Sequence, residues 1–61
     1  MIRKVYFVEN TNALDEALEK IVDTFPCFID RETIEMNYSE IGIFARAEDI
    51  CGIERILAPL V

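Results

Sequence analysis

The chain has no histidine and no tryptophan, and only two each of glycine, proline, cysteine and methionine among its 61 residues. Without histidine, neither Cys27 nor Cys51 has the usual base for nucleophilic work, and zinc patterns that combine Cys with His are absent. The cysteines stand too far apart for a CxxC redox pair, so they read as reduced small hydrophobes. Gly42 and Gly52 stand alone, which rules out a glycine-rich phosphate loop. Basic residues are also scarce: six against twelve acids, for a net charge of −6. Phosphate recognition draws its affinity from clustered Lys and Arg. Here Arg3, Lys4, Lys20, Arg31, Arg46 and Arg55 are dispersed, so direct nucleic-acid binding is not expected, and an anionic membrane surface is disfavoured for the same reason. No apolar run approaches the ~7–15 residues of a signal-peptide core or the ~20 of a spanning helix. A cytoplasmic protein is expected, and the Asn37-Tyr38-Ser39 sequon is then fortuitous. No catalytic residue, metal site or cofactor is assigned, and the chain reads as a non-enzyme.

What is present is apolar. Hydrophobic residues make up 52% of the chain, which argues against disorder. Residues 1–61 form one small domain. A chain this short hides only ~60% of its unfolded surface, so self-association would help it.

Residues 2–9, IRKVYFVE, carry strand-forming types. The unbroken run from Val5 to Val8 suggests a central strand or one covered on both faces. Asn10-Thr11-Asn12 breaks the strand and offers helix caps, with Asn12 and Asp15 resembling a capping pair. Leu14, Ala17, Leu18, Ile21, Val22 and Phe25 then recur at helical spacing, predicting a helix over residues 13–24 that Pro26 terminates. Its other face bears Asp15, Glu16, Glu19 and Asp23, relieved by Lys20. Asp15, Glu19 and Asp23 step by about 6 Å along one row.

Residues 27–30 read as a short strand or an extended connection. Residues 33–38 alternate, with Ile34, Met36 and Tyr38 on one side, and Ser39-Glu40 is the expected turn into a strand over 41–45. Gly42 suggests a bulge or a close approach. Residues 47–58 predict a second helix, with Ile50, Ile53, Ile56 and Leu57 on one stripe. Glu48 and Asp49 favour its dipole, and Gly52 weakens it by roughly 1 kcal/mol.

The expected fold is α+β: one β-α-β-β-α domain with two helices on one face of a three-stranded sheet. The first strand should run parallel to a neighbour through a crossover. The other sheet face has no cover, and Val5, Tyr6, Phe7 and Phe44 are its candidate apolar groups for a partner or a dimer. The helix acids Asp15, Glu16, Glu19 and Asp23 are a second candidate surface. They read either as a solvated helix face or as a ridge that docks on a basic or nucleic-acid-binding protein. A divalent cation is a further reading of the same row, though no calcium-loop pattern accompanies it.

Residues 34–57, IEMNYSEIGIFARAEDICGIERIL, resemble the second half of the DinI-like proteins, small acidic bacterial and phage modules. The likeness lies in a strand ending at Tyr38, a second strand, then Ala45-Arg46-Ala47-Glu48-Asp49 leading into a helix with Ile53, Ile56 and Leu57. Phe25-Pro26 after the first helix also fits. The chain departs from the family in its apolar tail, Ala58-Pro59-Leu60-Val61, where the family continues with acids. The resemblance implies a β-α-β-β-α fold and a role in binding a recombinase filament. Together these readings point to a small acidic regulator or inhibitor of a protein partner, of the size a phage or mobile element uses to block a host factor. The alternative is a structural homodimer or a subunit of a larger assembly.

Overall fold

The computed structural model describes residues 1–61. The elements are β1 (Ile2–Glu9), α1 (Asn12–Thr24), β2 (Cys27–Glu35), β3 (Tyr38–Ala45) and α2 (Ala47–Leu57), followed by a 3₁₀ turn, Ala58–Leu60. The domain is thus α+β in the order β-α-β-β-α. The strand order is β1-β3-β2, and both pairings are antiparallel.

This order corrects two expectations. The central strand is β3, while β1 lies at an edge. No neighbouring strands run parallel either. The α1 crossover does bring β2 back in the direction of β1, but the β2–β3 hairpin places β3 between them. The unbroken run Val5–Val8 has a different cause from burial on both sides. Val8 is buried against the helices, whereas Val5 and Phe7 are exposed on the other face.

The strand boundaries also differ from expectation. β2 is continuous from Cys27 to Glu35, and the turn falls at Met36-Asn37 rather than Ser39-Glu40. Tyr38 therefore opens β3. No non-glycine residue has positive φ, so this short connection is not one of the primed turns whose twist matches the strands. The ladder shifts register between Thr33 and Glu35 instead.

The core is one cluster: Val8, Leu14, Ala17, Ile21, Ile41, Ile43, Ala45, Ile50, Ile53 and Leu57. Ile41, Ile43 and Ala45 alternate along β3 toward the helices, and the apolar stripes of α1 and α2 close over them. Thr11, rather than Asn12, caps α1: its Oγ1 accepts the Leu14 N–H at 3.2 Å. The Phe25 N–H still reaches the Ile21 carbonyl at 2.9 Å before Pro26 ends the helix.

Ser39 is the buried polar residue of the core side. Its hydroxyl donates to Asn10 Oδ1 at 2.5 Å, and the same oxygen accepts from Arg31 Nη2 at 3.0 Å. Arg31 Nη1 meets Asp15 Oδ1 at 2.6 Å. This chain of contacts ties β3, the β1–α1 connection, β2 and the first turn of α1 together, and leaves no buried side-chain polar atom unpaired. No helix is long and apolar enough to cross a membrane.

Candidate interaction surface

Side chains alternate across a sheet, so the pairing register assigns each strand residue to a face. Ile2, Lys4, Tyr6 and Val8 of β1 stand opposite Ala45, Ile43, Ile41 and Ser39 on the helix side. The open face holds Arg3, Val5, Phe7 and Glu9 from β1 and Tyr38, Glu40, Gly42 and Phe44 from β3. From β2 it takes Phe28, Asp30, Glu32 and Ile34 by alternation, and the shifted register sets Glu35 opposite Tyr38. Nothing in the chain covers this side.

Of the four sheet residues expected to be sticky, three lie on this face: Val5 and Phe7 exposed, Phe44 half-buried. Tyr6 does not. Its even position turns it to the helix side, where it packs on the core and its hydroxyl donates to Glu54 Oε2 of α2 at 3.0 Å. Burial first, then this bond and the Glu54 charge, push the Tyr6 hydroxyl up to about 12 from 10.0.

The sign of that shift sets a pH dependence. The folded state holds the phenol proton more tightly than the unfolded chain, so the stabilisation is complete below about pH 10 and is lost between 10 and about 12. In a Tyr38→Phe variant, where Tyr6 is the only phenol, the ultraviolet titration should have its midpoint near 12. Glu54→Gln should lower that midpoint part of the way, since burial persists.

Three large apolar residues join the open face without having been foreseen. Phe28 is 73% exposed, and Ile34 and Tyr38 about half. Phe28 is directly opposite Phe44. At the other end of the sheet Phe7, Ile34 and Tyr38 gather with Glu35. Between these two apolar ends is a shallow hollow of about 410 Å3, lined by Arg3, Asp30, Arg31, Glu32, Glu40 and Gly42. Gly42 forms its floor. A Cβ there would come within 2.9 Å of Arg3 Nη2, because the Arg3 guanidinium lies across the glycine toward the Phe44 ring, 5.6 Å from its centroid. The close approach expected at Gly42 is this one.

The hollow sets three carboxylates, those of Asp30, Glu32 and Glu40, beside Arg3 and Arg31. Glu32 and Glu40 are directly opposite each other, an arrangement of like charges that destabilises a strand pair. The chain's ion pairs are Arg31–Asp15, Arg46–Glu48 and Arg46–Asp49. Asp30, Glu32 and Glu40 take part in none of them.

The helix acids lie elsewhere. Asp15 is held by Arg31, while Glu16, Glu19 and Asp23 are exposed on the outer side of α1, away from the open sheet face. One flat partner surface therefore cannot cover both. No three His, Cys, Asp or Glu side chains converge as a metal-ligand group.

At the β3–α2 junction, Arg46 Nε meets Asp49 Oδ2 at 2.8 Å and Glu48 Oε1 at 3.8 Å, and the two carboxylates hold its guanidinium charged. Cys27 also lies near this group. Burial, with the Asp49 charge second, pushes its thiol up, which disfavours the thiolate that nucleophilic chemistry needs. Both cysteines are free.

Family models, curated proteins and solved structures contain no match to this chain.

Proposed function

We propose that the protein is a non-enzymatic binding module, a regulator or inhibitor, that engages a protein partner through the open face of its sheet. The observation that carries this reading is the exposure of Phe7, Phe28, Ile34 and Tyr38 on one uncovered side. Clustered exposed apolar groups rimmed by polar ones mark interaction sites, and large aromatics set in pockets supply most of the energy of such contacts. The acids between the apolar ends specify the partner further: apolar anchors flanking an arginine or lysine that meets Asp30, Glu32 and Glu40 beside the Arg3 guanidinium. The exposed acids of α1 serve long-range steering toward such a basic partner.

Serine substitution tests the reading. Phe7→Ser with Phe28→Ser should leave the fold intact and reduce partner affinity at least tenfold, measured by titration calorimetry with the captured partner. Charge reversal at Glu16, Glu19 and Asp23 should slow association and leave dissociation nearly unchanged. Unaltered affinity in the serine variant would overturn the assignment of the sheet face.

A further inference from the structure

We infer that β1 is a second interface, which pairs antiparallel with β1 of another copy of this chain about a two-fold axis at Tyr6. The inference concerns the sheet edge rather than its open face, and it stands or falls separately from the partner reading.

β1 borders only β3, so its other edge is free. The direction of its backbone groups follows from one bond. The Asn10 N–H donates to the Asn37 carbonyl at 2.6 Å, continuing a ladder in which Glu9 faces Tyr38 and Val8 faces Ser39. Bonded pairs alternate along an antiparallel ladder, so the even-numbered residues of β1 bond to β3. The near-complete burial of Val8, at 1% exposure, agrees. Arg3, Val5, Phe7 and Glu9 consequently direct their N–H and C=O groups outward, with no strand to receive them.

A second copy fits this edge in a definite register. A two-fold axis normal to the sheet keeps the open faces on one side only if odd residues stand opposite odd residues. Centring on Tyr6 places Arg3 against the partner's Glu9 and Val5 against the partner's Phe7, each twice by symmetry. All four outward-facing residues then find bonded positions. Shifting the centre to Val5 or Phe7 strands one of them and removes the Arg3–Glu9 match. Neither Arg3 nor Glu9 has an ion pair within its own chain. The free edge of β2 does not compete, since Asp30, Arg31, Glu32 and the register shift mark it against pairing. The assembly therefore closes as a dimer with a six-stranded sheet, and Val5 and Phe7 of both copies form a continuous strip across its open face.

Sedimentation equilibrium of the full chain tests the register by charge exchange. The native chain should associate to a dimer. Arg3→Glu and Glu9→Arg should each weaken it tenfold or more, and the doubly exchanged Arg3→Glu/Glu9→Arg chain should recover the native affinity. Glu9→Arg leaves Arg3 in place over Phe44, so its effect does not pass through that contact. Isotope-filtered NOEs in a mixed-label sample should connect the Val5 methyls to the partner's Phe7 ring. A native chain that stays monomeric at millimolar concentration overturns the proposal. So does a double exchange that fails to restore association, or a dimer without that NOE.

Discussion

Truncating Ile43 to alanine should remove about half of the protein's stability at 25 °C. Ile43 is fully buried at the middle of the central strand, between Lys4 of β1 and Ile29 of β2. Its side chain fills the space that the stripes of α1 and α2 close over. Removing buried aliphatic carbons forfeits their transfer free energy and leaves a cavity, together about 2–5 kcal/mol. A chain of this length has roughly 3–9 kcal/mol to lose at ordinary per-residue stability. Urea unfolding followed by circular dichroism should show the midpoint falling by about half. Phe28→Ala on the open face removes a larger side chain, yet it should cost under about 1 kcal/mol, because the ring is already in water. The contrast between the two separates residues that hold the fold from residues that face outward.

Gly52→Ala should destabilise the protein, against what helix propensity alone predicts. In an exposed helix the exchange gains roughly 1 kcal/mol. Here a Cβ on Gly52 would be 2.7 Å from the Cζ of Phe25 and 3.1 Å from its Cε1. The Phe25 ring packs on the core from the end of α1, and the glycine is the notch in α2 that receives it. Forcing the ring aside costs on the order of 1–3 kcal/mol, which outweighs the propensity gain and gives a net loss of about 1 kcal/mol. In a Phe25→Leu background the same exchange should turn stabilising, since the shorter side chain clears the notch. Denaturant midpoints for the four chains of this cycle decide it. Additive effects would remove the packing explanation.

The helices were legible because amphipathic spacing reports directly on burial. The stripe Leu14, Ala17, Ile21 and the stripe Ile50, Ile53, Leu57 are the helix core residues found in the structure. The strands were less so. β2 carries Asp30-Arg31-Glu32 at its centre, which reads as a connection, but Arg31 is on the helix side of the sheet and finds Asp15 and Asn10 there. Those partners are distant in sequence, and local patterning cannot show them. Leaving residues 27–30 open between a short strand and a connection also hid Phe28, whose place on the open face follows from period two only once the strand starts at Cys27. Tyr6 was misplaced for a related reason: four successive apolar residues fix no phase, and only the pairing of β1 with β3 assigns the faces. Glu16, Glu19 and Asp23 fall on the outer side of α1 as helical phase requires, because the core stripe sets that phase, whereas Asp15 turns to Arg31 of β2. Gly52 looked like a weak point in a helix, and its role appears only with the Phe25 ring beside it.

The domain thus divides its apolar residues between a closed core under the helices and an uncovered face across the sheet. The acids of the sheet face and of α1 point in opposite directions. The claim that the sheet face is where the partner sits is tested most directly by photo-cross-linking. A photoreactive phenylalanine analogue is placed in turn at Phe7, Phe28, Tyr38, Glu19 and Cys51, in the cell that makes the protein. The account predicts one common adduct from Phe7, Phe28 and Tyr38, and none from Glu19 or Cys51. An adduct confined to Glu19 or Cys51, with the three sheet positions silent, would contradict it.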